Sequence, residues 1–198
     1  MVFIGSVNSA TRIPEMIEGV RLMAGRCGGQ CAIIVDTTGL VEGNLGKALK
    51  LGKIKAIKPD CVIAIQKKDE LEHILGAVSG PKIIRLKPSP LAKKISRVAR
   101  INYRKQKYNE YFSSAKLLKV PLAGRKIILF HYRNTPLDLC APEFEPGPLI
   151  GNVAGLNKGP ETLALGVFKG IEKDRALFLT PLKSASGIDN VLLGDIFI

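Results

Sequence analysis

The sequence predicts an α/β protein in which a parallel sheet with flanking helices is followed by a small carboxy-terminal antiparallel β domain. The run at residues 31–36 is continuously apolar over strand length and leaves no polar face, as in a strand buried between layers; residues 61–66 read as another buried strand, and Lys82-Ile-Ile-Arg-Leu86 as a third strand. Helical stretches alternate with these runs, and the resulting βαβαβ order implies parallel strands joined by right-handed crossovers. After Lys119 the grammar changes: short β-like runs follow one another at strand-to-strand intervals with turn residues between them. Residues 1–116 and 117–198 are therefore expected as two lobes.

The elements follow in order. Residues 2–4 form a short apolar run, and the Ser, Asn and Thr residues behind it supply capping groups for a helix over about residues 14–26, with Pro14 suited to its first turn. Cys27, Gly28 and Gly29 end that helix. The run at 31–36 is the first buried strand, 45–57 is helical, 61–66 is the second strand, 69–78 is helical and 82–86 is the third strand. Pro88 and Pro90 break the pattern and lead into a long basic helix over about residues 91–116. In the second lobe, residues 120–122, 125–132, 149–154, 162–168, 176–180 and 191–198 read as strands, and the proline-rich stretch 138–148 as an irregular loop.

With 198 residues and 46% hydrophobic content, the chain can bury a real core. Its formal charge of +13 favours phosphate-bearing partners. No segment approaches the roughly 18 uninterrupted apolar residues that cross a bilayer. The apolar start at residues 1–6 is too short for a secretory signal, so a cytoplasmic protein with no membrane partner is expected. Cys27, Cys31, Cys61 and Cys140 form one C-x3-C pair and two singletons, which is not zinc-site spacing, and no metal site is expected. Cys31 and Cys61 open apolar runs and are expected as buried, reduced thiols. Neither His73 nor His131 has a Ser or Cys partner marked by a local signature, and Glu143 and Glu145 read as solvating their loop.

Two constellations point to phosphate chemistry. Arg97, Arg100, Arg104 and Lys107 recur at steps of three and four, which stacks their charges on one helical face, with aromatic side chains between them. From Lys82 to Asn109 there are ten Lys and Arg and no Asp or Glu, so a polyanion outside the chain is the natural complement of that face. The second constellation is the loop after the 31–36 run. Asp36, Thr37, Thr38 and Gly39 sit where an open parallel sheet builds ligand sites, beyond the carboxyl ends of its strands, and Gln66 and Lys67 occupy the same rim as candidate cofactor-binding residues. Downstream, Gly46-Lys47-Ala48 is a partial match to the nucleotide P-loop G-x-x-x-x-G-K-[ST]. Val41 stands in place of the first glycine and Ala48 in place of the metal-binding hydroxyl, so no working P-loop is expected there.

With these residues in view, the chain resembles the carboxy-terminal portion of the polynucleotide 5'-hydroxyl kinase family, the P-loop RNA 5'-kinases of the mRNA cleavage factor and pre-rRNA processing type. Residues 34–43 with Leu49, Lys50 and residues 57–60 resemble the segment holding the family's T-x-G clasp, which gathers the RNA 5' end. Residues 100–104, shortly before Glu110, Tyr111 and Phe112, are similar to its R-x-x-x-R lid over the ATP phosphates. Residues 151–155, 162–166, 179–181 and 193–196 resemble the family's closing β domain. The resemblance implies that Thr37, Thr38 and Gly39 bind substrate. It further implies that Arg100 and Arg104 are catalytic lid residues that neutralise phosphate in the transition state. Leu40 takes the place where some members carry a base-stacking aromatic residue, leaving an apolar contact. Arg97 and Lys107 are expected to steer RNA. ATP and Mg²⁺ are implied as cofactors by the resemblance alone.

The family's Walker A loop and its catalytic aspartate have no counterpart in residues 1–198, so the sheet is expected to be partial and the chain to be inactive alone. The expected function is the RNA-binding and lid-bearing part of such a kinase, active on RNA (or DNA) 5' ends when a P-loop-bearing partner chain completes it. The alternative is a non-catalytic nucleic-acid-binding or scaffold protein derived from that family. A further alternative is a basic remnant that self-associates through an exposed sheet edge.

Overall fold

A computed structural model describes residues 1–27, 32–93, 95–129 and 145–198. His131, Cys140, Glu143, Cys31 and Lys94 lie outside the described residues, as does most of the predicted 138–148 loop. The chain divides into two compact units, Asn8–Lys94 and Met1–Val7 with Ile95–Ile198.

In the 8–94 unit, α1 (Ile13–Gly25) has Pro14 in its first turn and packs on α2 (Gly43–Ile57). Their approach is close at Gly52, where a Cβ would lie 2.2 Å from Ile17 Cδ1. Lys58, at φ 52°, closes α2 by donating its N–H to the Ile54 carbonyl, and Pro59 prevents continuation. Strands β1 (Cys61–Ile65) and β2 (Lys82–Leu86) pair in parallel, Cys61 opposite Lys82, with the four-residue helix α3 (Glu72–Leu75) in the crossover between them.

Three expectations for this unit need correction. Residues 32–36 form no strand, and Ile34 is 95% exposed. An apolar run becomes a strand only where a neighbour offers ladder partners, and none does so here among the described residues. The parallel sheet consequently has two strands rather than three. Cys61 is a free thiol, as expected, but it is exposed at the start of β1 instead of buried, and Cys27 is likewise free and exposed.

The other unit carries helix α4 (Arg97–Phe112) and strands β3 (Lys116–Pro121), β4 (Lys126–Leu129), β5 (Asn152–Lys158), β6 (Glu161–Glu172), β7 (Arg175–Thr180) and β8 (Asn190–Phe197). These strands make one sheet in the order β3-β7-β6-β5-β8-β4, antiparallel except where β4 joins β8 in parallel. Alternation along β6 and β7 turns Phe168 and Phe178 inward, their ring centroids 5.6 Å apart, into a core with Val120, Leu156, Val191 and Leu193. Residues 1–5 run along this sheet rather than in the parallel one. Phe3 N–H donates to Thr162 Oγ1 at 2.8 Å, Thr162 N–H to the Met1 carbonyl and Asp195 N–H to the Gly5 carbonyl. Gly194 admits that approach, since a Cβ there would lie 2.4 Å from the Gly5 oxygen. α4 is shorter than the predicted 91–116 because Ser96 caps its start and Lys116 already pairs with Thr180 in β3.

Candidate nucleic-acid interface

The loop from Asp36 to Val41 leads into α2, and the helix holds it from several points. A Cβ at Gly46 would come 2.4 Å from the Val41 carbonyl carbon, so loop backbone lies directly on the helix and only glycine admits it. One turn further, Lys50 Nζ donates to Thr37 Oγ1 at 2.5 Å and to the Thr38 carbonyl. From α3, His73 Nε2 donates to the Val41 carbonyl at 3.0 Å. Thr37 and Gly39 are exposed, Leu40 is half-buried, and Thr38 Oγ1 is buried without a hydrogen-bond partner.

The electrostatics of this loop are cationic. Burial pushes the Lys50 ammonium down to about 8, neighbouring Lys53 pushes it the same way, and Asp36 opposes them. Lys53 is only 4% exposed, and burial lowers its pKa as well. Sequence reasoning assigned no role to Lys50, Lys53 or His73. The 12- and 13-residue separations between Lys50 and the threonines belong to no helix or strand period, so no pattern in the chain announced the contact.

Gly46 and Lys47 lie inside α2, and Gly46 N–H makes an ordinary helical bond to the Glu42 carbonyl at 3.2 Å. These amides are therefore turned to the helix and not to a phosphate. No cluster of three or more potential metal ligands occurs among the described residues. The residues present do not fit a cradle for a nucleoside triphosphate and its Mg²⁺.

Gln66 and Lys67 serve their own strand end. The Gln66 side chain, 8% exposed, donates to Glu72 Oε1 at 2.6 Å and accepts from Leu71 N–H at 3.0 Å, which occupies both ends of its amide. Arg85 grips the same Glu72 through two bonds of 2.8 Å, and this fork, with Gln66, holds the carboxyl at about 2. Lys67 is exposed, and its backbone N–H donates to Glu70 Oε1 at 2.8 Å.

On α4, Ser96 Oγ accepts from Ala99 N–H at 3.1 Å and orders the first turn. Arg97, Arg100 and Arg104 are exposed, and none of them bonds a carboxylate among the described residues. Lys107 differs from the arginines. Its Nζ lies 2.7 Å from Glu110 Oε2 and 5.6 Å from the Tyr103 ring centroid, so its charge is answered within the helix. Tyr111 and Phe112 meet edge to face at 4.9 Å, and the Tyr111 hydroxyl accepts from Leu165 N–H of β6 at 2.9 Å.

The chain is similar to known proteins in sequence and in fold. The chain is 37% identical over 122 residues to a polyribonucleotide 5'-hydroxyl-kinase of Pyrococcus furiosus, a match covering 61% of this chain and 34% of that protein. It is 38% identical over 120 residues to the corresponding kinase of Methanocaldococcus jannaschii, covering 60% and 33%. Among solved structures, wild-type Clp1p in complex with Pcf11p superposes with a TM-score of 0.68 at 11% identity, covering 96% of this chain and 52% of that one. A second Clp1p structure, which describes the extended interface with Pcf11p and the loss of ATP in a point mutant, gives 0.67 over 96% and 53%. At that identity the structures speak for the fold. The matched region spans about a third of the curated relatives' length and half of the solved ones. A family model described as mRNA cleavage and polyadenylation factor CLP1 P-loop matches residues 1–114, more than half of the chain, and the protein belongs to that family of polynucleotide 5'-kinases.

Proposed function

We propose that residues 1–198 form the RNA-end-binding and lid-bearing part of a polynucleotide 5'-hydroxyl kinase. In this reading Thr37, Thr38, Gly39 and Leu40 hold the 5' end, while Arg100 and Arg104 place positive charge over the transferring phosphoryl group, which is the main requirement of that reaction. Arg97 steers the polyanion towards the lid. The observation that carries the reading is the row of exposed arginines on α4, which have no carboxylate partner among the described residues. ATP, Mg²⁺ and the base that activates the 5'-hydroxyl belong to a P-loop segment outside these 198 residues, wherever it is encoded. The apolar face of β1, with Ile63 60% and Ile65 59% exposed, supports a protein surface as its neighbour. Clp1p itself is found with a protein partner.

The test supplies labelled ATP and a 5'-hydroxyl oligoribonucleotide to this chain, alone and with the P-loop half of a related kinase. Transfer is expected only in the mixture, and is expected to fall when Arg100 and Arg104 are both changed to Ala. Transfer by residues 1–198 alone would overturn the assignment of the missing chemistry. RNA binding with no transfer in any mixture would favour the non-catalytic binder.

A further inference from the structure

The buried stripe of α2 is Gly46, Leu49 and Lys53, at the i, i+3, i+7 spacing of a core-facing helix. Its third member is a cation. An apolar side chain there would be buried at no electrostatic cost, whereas a desolvated ammonium is costly unless an anion answers it. Lys50 lies three residues before Lys53, on the adjoining part of the same face, and neither lysine bonds a carboxylate among the described residues. Asp36 acts on Lys50 from a distance, but burial and the neighbouring Lys53 outweigh it, and Lys53 has no carboxylate acting on it among the described residues. The Lys50 ammonium spends two of its three donors on Thr37 Oγ1 and the Thr38 carbonyl, and Thr38 Oγ1 is buried with nothing bonded to it. Together these groups leave unused donors and uncancelled charge beside the loop that grips the polynucleotide end.

We propose that Lys50, Lys53 and the Thr38 hydroxyl form a phosphate subsite, which holds a backbone phosphate of the polynucleotide next to the end gripped by residues 37–39. The subsite rests on the RNA-end reading for its ligand, while the anion chemistry stands on the buried lysines themselves. It explains why the α2 stripe carries a cation where a leucine would pack, and why the charge is uncompensated in the protein alone. Lys50 then has two tasks, fixing the shape of the loop and directing its third N–H at the phosphate.

The full chain is tested with two probes, inorganic phosphate and a short 5'-hydroxyl oligoribonucleotide. Replacing chloride with phosphate at equal ionic strength is expected to raise the melting temperature of the parent and to leave that of Lys53→Met unchanged. The RNA affinity of Lys53→Met is expected to drop about tenfold, with a salt slope shallower by roughly 0.7 for the lost phosphate contact. Lys50→Met is read in the same way, so the proposal remains falsifiable if one variant does not fold. RNA affinity and phosphate response that survive both lysine changes overturn the subsite. If RNA binding then still falls on Arg100→Ala, the kinase-part reading stands without it. A parent that responds to phosphate through Lys53 but ignores RNA overturns the RNA reading and keeps the anion site.

Discussion

At Gly46 the chain leaves no room for a side chain, because the obstacle is the Val41 backbone and not the movable end of a neighbour. Gly46→Ala is expected to destabilise the 8–94 unit by roughly 1–3 kcal/mol through overpacking, measured as a lower urea midpoint. It is also expected to disturb Thr37 and Thr38, which hang from the same loop. Glu72 supplies a pH-dependent term. Its carboxyl is held at about 2 by Arg85 and then by Gln66, below the ordinary value of 4.5. A depressed carboxylate contributes stability above its unfolded pKa and loses it as pH falls through the folded one. The unfolding midpoints of the parent and Glu72→Gln are therefore expected to differ at pH 6 and to converge as pH falls from about 4.5 to about 2. A constant gap over that range would show that the fork does not act through the ionised carboxyl. The loop residues were singled out as ligand types because Asp, Thr and Gly beyond a strand are a recurrent arrangement, but the strand expected before them does not form over residues 32–36. That an ammonium 13 residues away fixes them was decided by the packing of α2.

At the scale of elements, α4 has no fully buried side chain and is tied down near its end by the Tyr111 hydroxyl. Tyr111→Phe removes the acceptor of the Leu165 N–H and is expected to cost about 1 kcal/mol. Hydrogen exchange is expected to quicken at Leu165 and along α4 while the amides of β7 keep their protection. Unchanged exchange at Leu165 would mean that the bond is not formed in solution. On the same helix, changing Arg100 and Arg104 together to Ala is expected to lower RNA affinity and to reduce the log–log salt slope by about 1.4, two single-strand phosphate contacts. An unaltered slope would mark the stripe as a solvated face. The charge stripe itself was visible in the sequence, because helical spacing is local. Where the helix begins was not, because Pro88 and Pro90 announced a start that the Ser96 cap delays.

At the scale of the molecule, the β-rich unit owes its stability to the sandwiching of Phe168 and Phe178 among aliphatic strand residues. Phe178→Ala is expected to cost roughly 3–5 kcal/mol, read as loss of exchange protection in β6 and β7. Protection equal to the parent's would show that the core tolerates the cavity. By itself the sequence determined the helices α1 and α2, the strands β1 and β2 and, among the later strands, β4, β6, β7 and β8, whereas β3 shares only residues 120–121 with its expected run and β5 only residues 152–154. It also determined the basic face of α4 and the family to which these motifs point. Each of these is written in local periodicity, turn residues and caps, which act over a few positions. Tertiary structure alone decided that Phe3 bonds Thr162 across 159 positions, drawing the first residues to the β-rich sheet. It decided too that residues 32–36 stay exposed and that Lys53 occupies a buried stripe. Burial and strand pairing are properties of what surrounds a residue, and an apolar run or a lysine carries the same signature whether or not a neighbour arrives.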